Sequence, residues 1–331
     1  MALPKPTSVH NTEILPALPA SWSALTWKQL CDVWTVKMRY GGNGDVAQAA
    51  ALLVLALGEK FSVWGFKFDE ERGESLYTVE GADGRQWTLS PRQLAHLAKQ
   101  SLPWLQYPYG DPGKEAVKDD KGKVVEESVP PHRGYVSGMH DAMILPVESI
   151  DIEGRRYALP QAAMNNLTWE QYRSLQPLPP QLFQEGVTED DALRMQAEFL
   201  SYCLVPEGET DQTGNPFHYS PVVAERMQPL FRRLLTEGSP LFQICFQTYQ
   251  TAMGYYREAF PLLFQGDGKQ DALKDALVGE VDTLNAIMKY QGYIRQQDVY
   301  DTNLPIVFSV LNTMTKEAKE IEKMNSKIKR K

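Results

Sequence analysis

The sequence predicts a mainly α, α+β protein: a helical bundle carrying two small β-hairpins in its N-terminal half. Three observations lead there. One helix-start pattern occurs three times, as Leu25-Thr26-Trp27-Lys28-Gln29-Leu30, Leu89-Ser90-Pro91-Arg92-Gln93-Leu94 and Leu167-Thr168-Trp169-Glu170-Gln171-Tyr172. Two short stretches alternate side chains around a glycine turn. After Val187 the apolar residues recur at helical spacing, interrupted only by Pro-, Gly- and Asp-containing segments.

Each copy of the repeated pattern has the chemistry of a capping box. Thr26, Ser90 and Thr168 offer a hydroxyl to an unpaired backbone N–H of the first helical turn. Gln29, Gln93 and Gln171, three residues on, reach back to the N–H of the cap residue. The Leu before each cap and the Leu, Leu or Tyr four residues after it suit a hydrophobic staple. Pro91 at the first helical position strengthens the second copy.

In chain order, residues 1–20 read as an extended, Pro-punctuated arm. A helical part carrying the two hairpins is expected over 21–180. Its first helix runs from Thr26 to about Tyr40 with Leu30, Val33, Trp34 and Met38 as the apolar stripe, and Gly41-Gly42-Asn43-Gly44 stops it. A second helix is expected from Asp45 to Gly58, and Phe61–Phe68 reads as a strand or a packed loop. The first hairpin spans Leu76–Leu89 and the second Ile150–Tyr157, turning at Glu153-Gly154, and each leads into a capping box. Between them the polar insertion at 110–133 interleaves Lys114, Lys118, Lys121 and Lys123 with acidic residues, as a mobile insertion or a long hairpin tip. Residues 187–331 are expected to form the bundle, with helices opening at Thr188, Ser220-Pro221, Ser239-Pro240 and Asp271. It ends in a long amphipathic helix from about Ile306. On that helix Leu311, Met314, Ala318, Ile321 and Ile328 fit alternating a and d positions, with Asn325 at the remaining a slot. These apolar residues are the candidate partner-binding face; a helix docked on its own bundle is the plainer alternative.

The totals exclude several classes of function. Hydrophobic content of 43% and charged content of 23% suit a globular chain of 331 residues. With 34 basic against 42 acidic side chains, the net charge of −8 argues against broad nucleic-acid binding, because that needs a basic face. Cys31, Cys203 and Cys245 lie far apart and in no C-x-x-C pair, so they read as buried thiols of a reducing compartment. The N-terminal stretch lacks a signal-peptide pattern, and Val46–Leu57 is too short to span a bilayer. No nucleophile elbow, Walker or dinucleotide fingerprint occurs, and Gly266-Asp267-Gly268-Lys269-Gln270 lacks both the first glycine and the hydroxyl of a phosphate loop. His132 and His140 lie near Asp141 without a third ligand at metal-site spacing. Asp190 and Asp191 suit a helix N-terminus, and Phe246, Tyr249, Tyr255 and Tyr256 suit a core face rather than a base-stacking platform. The reading is of a protein that is not an enzyme and needs no cofactor and no metal.

Three stretches together resemble a protein family of tailed phages and prophages of Bacteroidetes-type bacteria. Leu18-Pro19-Ala20-Ser21-Trp22-Ser23-Ala24-Leu25-Thr26-Trp27-Lys28-Gln29-Leu30 is similar to the family's opening, a Leu-Pro-x-Ser-Trp segment running into a Leu-Thr-x-x-Gln-Leu box. Asn166–Tyr172 with Glu198–Pro206 is similar to its centre, and Leu284–Tyr293 with Val299, Val310 and Leu311 to its C-terminal end. The Lys-rich insertion at 110–133 departs from that pattern. The resemblance implies tail morphogenesis, with the protein acting as a tail assembly chaperone for the tape-measure protein in the cytoplasm of the host bacterium. A structural tail or connector subunit of the virion is the alternative. A nucleic-acid-associated protein using Lys327–Lys331 and the aromatic helix that opens at Ser239-Pro240 is a second alternative, and an enzyme with a dispersed site near His132, His140 and Asp141 is a third. Oligomerisation is compatible with all of them.

Overall fold

The helix starts set the frame. A computed structural model of the chain describes residues 21–40, 65–69, 74–80, 86–90, 114–118, 124–128, 144–208, 221–264 and 280–329, with the single residues 19, 51, 55, 93, 96, 98 and 102. The expected arm at 1–20 apart from Pro19, most of the helix expected at 45–58, and His132, His140, Asp141, His218 and the 266–270 loop lie outside the described residues. All three capping boxes form with the same geometry. The cap N–H donates to the Gln Oε1 at 2.9 Å in each, and the Gln N–H donates back to the cap hydroxyl at 3.3 Å. The staple residues Leu25, Leu30, Leu167 and Tyr172 are all buried.

The chain divides into two compact units, Met1–Ala142 and Met143–Lys331. The expected boundary between 180 and 187 falls inside the second. In the first unit the opening box starts α1, Trp27–Tyr40, which buries Leu30, Val33 and Trp34. Trp22 stacks on Trp34, and the Lys37 ammonium lies 5.3 Å and 5.0 Å from the two ring centres. Burial lowers the Lys37 pKa to about 8, while the electron-rich ring faces favour its charged form. Strands β1 (Gly65–Asp69), β2 (Glu74–Glu80) and β3 (Gln86–Leu89) form an antiparallel sheet in that order. Strands β2 and β3 are the hairpin expected at 76–89, and β1 answers the question left open at 61–68. Within 110–133, β4 (Lys114–Lys118) and β5 (Val124–Ser128) pair antiparallel, so the polar insertion is a hairpin.

In the second unit β6 (Ser149–Ile152) and β7 (Arg155–Ala158) leave Glu153 and Gly154 as a two-residue turn. Both turn residues have positive φ, 55° and 77°, the type I′ geometry that matches strand twist, and Asp151 Oδ1 accepts the Gly154 N–H at 2.8 Å. The expectation of two hairpins in a helical N-terminal part is corrected here. This hairpin belongs to the unit that starts at Met143, and a third strand, β8 (Val205–Pro206), pairs with β7. Pairing brings Tyr157 opposite Pro206, and Tyr157 is buried against the edge of Phe231 at 5.9 Å.

Helices make up the rest. After a short 3-10 turn at Ala162–Met164 come α2 (Trp169–Leu175), α3 (Leu178–Leu182) and α4 (Glu189–Cys203). Thr188 caps α4, and Asp190 pairs with Arg232 while Asp191 bonds the cap hydroxyl, so this acidic pair is structural. Then follow α5 (Pro221–Thr236), α6 (Leu241–Ala259), the single turn α7 (Pro261–Phe264) and α8 (Glu280–Gln291). Helix α6 ends at Ala259, because Pro261 cannot donate the next helical hydrogen bond. Gly292 at φ 71° closes α8, and the Tyr293 N–H returns to the Met288 carbonyl at 2.9 Å. Finally come α9 (Gln296–Tyr300) and α10 (Leu304–Lys329).

The core of this unit is aromatic. Phe308 of α10 is fully buried, and five rings surround it: Trp169, Tyr172, Tyr256, Phe260 and Phe264, with centroids 5.0–6.5 Å away. All five meet it at steep angles, the edge-to-face arrangement that ring quadrupoles favour. A second cluster sets Phe199 against Phe242, Phe246 and Tyr249. The aromatics of α6 are therefore core, as their spacing suggests, with Tyr255 alone among the four turned outward.

Candidate functional site

The last helix is built in two parts. Its start is tied to the third capping box: Leu304 N–H donates to Leu167 O at 2.8 Å, and Trp169 N–H donates to Thr302 O at 2.9 Å. Leu304, Val307, Phe308, Val310 and Leu311 are buried. Beyond Leu311 the helix leaves the core. Met314 is half-buried, Ala318 and Asn325 are exposed, and Ile321 and Met324 are 54% and 57% exposed. Ile328 lies on the helix, but its side chain is outside the described set. The Tyr290 hydroxyl donates to Glu317 and braces α8 against the middle of α10.

The four described partner-face candidates thus do not share one exposed surface. Leu311 is core, Met314 stands at the boundary, and Ala318 with Ile321 faces solvent. The heptad pattern missed Met324, which follows Ile321 by three residues and widens the apolar strip. Lys316, Glu317, Lys319, Glu320 and Lys323 flank that strip, all exposed. Such a face has two properties: apolar area to bury against a partner, and mixed charge that keeps it in water until then.

A second concavity lies between α2–α3 and α6. It holds about 490 Å³ and is lined by Tyr172, Gln176, Pro179, Pro180 and Phe183 on one side, and by Phe246, Tyr249, Gln250, Met253 and Arg257 on the other, with Phe264 at its end. Nothing in the sequence pattern marks it, since its lining comes from segments far apart in the chain.

Groups with catalytic potential are few among the described residues. No three His, Cys, Asp or Glu side chains are grouped to hold a metal ion. His96 is exposed on its helical segment. The thiols are muffled: burial, with the neighbouring Cys245, pushes Cys203 well up, and burial with the Asp32 charge pushes Cys31 to about 11. Among the described residues no helix is long and apolar enough to cross a membrane. No family model, no curated protein and no solved structure matches the chain.

Proposed function

We propose that this chain is a non-enzymatic tail-morphogenesis protein of a phage or prophage, a tail assembly chaperone that holds the tape-measure protein in the host cytoplasm. The family resemblance supplies the system. The observation that supports binding is the division of α10, whose proximal residues are core while Ala318, Ile321 and Met324 face solvent. A long helical client offers apolar stripes of its own, and a face already ordered as helix loses little entropy in pairing with them. An acidic body repels other acidic proteins and keeps the loaded complex in solution.

The test is co-expression with a helical tape-measure fragment, using the full chain and a version ending at Thr315. The full chain is expected to co-purify with the fragment and the shortened one to lose it. Ile321→Glu with Met324→Glu in the full chain should weaken the pair at least about tenfold, the effect of withdrawing one to two buried apolar side chains. Retention by the shortened chain would move the interface off α10. Failure of both forms to bind, with the protein present in purified particles, would favour a structural tail or connector subunit.

A further inference from the structure

The groove between α3 and α6 has a chemistry that the terminal helix lacks. Its volume of about 490 Å³ falls in the range of roughly 300–1,000 Å³ usual for small-molecule sites. One wall is stiff, because Pro179 and Pro180 sit in the first turn of α3. The other is a stripe of α6, in which residues 246, 249, 250, 253 and 257 recur at helical spacing. Rings and a thioether share the lining with Gln176, Gln250 and Arg257: Phe183 lies 5.7 Å from Phe246, and Met253 and Phe264 also border the groove.

Tyr249 and Arg257 are two of the groove's polar groups. Tyr249 is only 8% exposed, its ring is held edge-on by Phe199, and it borders the groove. A phenol hydroxyl on the wall of a groove can donate a hydrogen bond to an acceptor atom of a bound molecule. Arg257 lies two turns further along the same helix, exposed, with no ion-pair partner among the described residues. Its charge reaches the Tyr249 hydroxyl, where it opposes the effect of burial. A guanidinium at the rim of an aromatic slot selects for an anionic group on an apolar body.

We infer that this groove binds a small aromatic carboxylic acid, its ring system lying on Phe183, Phe246, Met253 and Phe264 and its carboxylate held by Arg257, with the Tyr249 hydroxyl donating to an oxygen of the bound molecule. The inference goes beyond the tail-assembly role and is independent of it. No residue of the groove belongs to the exposed part of α10, so loss of the client would leave this site unaffected.

The probes are naphthoate and its neutral analogue naphthylmethanol, added to the full chain with methyl-labelled methionine. Saturable naphthoate binding by calorimetry is expected, accompanied by a shift of the Met253 methyl resonance. Arg257→Gln, a change at an exposed side chain, should weaken naphthoate at least about tenfold and leave naphthylmethanol within about twofold. Tyr249→Phe should weaken naphthoate while keeping the packing of the ring. Absence of saturable naphthoate binding, a Met253 resonance that does not move, or equal naphthoate affinity in Arg257→Gln would each overturn the proposal.

Discussion

Gln171 does more than its counterparts at the other two helix starts. Its Oε1 accepts the Thr168 N–H, and its Nε2 donates to the Tyr202 carbonyl at 2.9 Å, tying the start of α2 to the last turn of α4. It is 2% exposed, whereas Gln29 makes the same box at a partly open position. Removing Gln171 orphans two enclosed backbone groups, so Gln171→Ala should destabilise its unit by about 3 kcal/mol. Gln29→Ala should take about 1 kcal/mol or less from its own unit, the usual effect of a lost cap. Urea denaturation of each variant measures both, and equal losses would contradict the argument. The thiols give a second test at this scale. Cys203 and Cys245 are fully enclosed, and the Cys31 pKa of about 11 leaves little thiolate near neutrality. A disulfide reagent at about pH 8 should label the folded protein at least about a hundredfold more slowly than a free thiol, because only the thiolate attacks. Cys203 and Cys245 should be released together when residues 143–331 unfold and Cys31 when its own unit does, and a fast-reacting cysteine in the folded chain would mean that its thiol is open to solvent.

Among the elements, α10 separates stability from binding along one helix. Phe308 is surrounded by five rings, so Phe308→Ala should destabilise by about 4 kcal/mol, as large aromatic deletions in cores do. Ile321→Glu, four turns on, should change stability by no more than about 0.5 kcal/mol, as solvent-facing substitutions do. Thermal melts of the two variants decide this; a large loss from Ile321→Glu would mean that the distal helix is docked. The contrast also shows what the sequence could reveal. Capping boxes and tight hairpins are local, so Thr168 with Gln171, and Glu153 with Gly154, were legible from a few neighbouring residues. The heptad stripe gave Leu311 and Ile321 equal standing, because periodicity reports which face is apolar and not where along the helix the core ends. Strand β8 is two residues long and pairs across α2–α4, and the lining of the groove converges from separate segments; neither leaves a periodic trace. The same non-locality placed the expected boundary at 180–187, since only folding brings Trp169 and Tyr172 onto Phe308.

At the scale of the whole molecule, the division at Ala142 and Met143 makes a claim about cooperativity. The β6–β7–β8 sheet, the box at Thr168, the aromatic shell of Phe308 and the Arg232–Asp190 pair all lie within 143–331. A fragment of residues 143–331 should therefore express as a folded protein and melt in one transition, and a gradual, non-cooperative melt would refute the division. Its response to alkali follows from the same core. Burial, joined by the neighbouring Glu198, raises Tyr202 to about 12, and burial raises Tyr249, Tyr256 and Cys203 as well. All four are acids whose charged form the fold disfavours, so the unfolded chain gives up these protons at lower pH than the folded one. Between the ordinary thiol and phenol values and the raised ones, the folded state binds more protons, and each pH step then favours unfolding. Stability should be level up to about pH 8 and decline progressively from about pH 9 upward as the unfolded thiol and then the phenols ionise. Melting temperatures of the fragment across that range measure the slope. A flat profile would mean that water reaches these hydroxyls and that the aromatic core is looser than its rings imply, whereas a steeper fall in the wild type than in Tyr256→Phe would assign part of the slope to the phenol that bonds the Ala163 carbonyl at 2.7 Å.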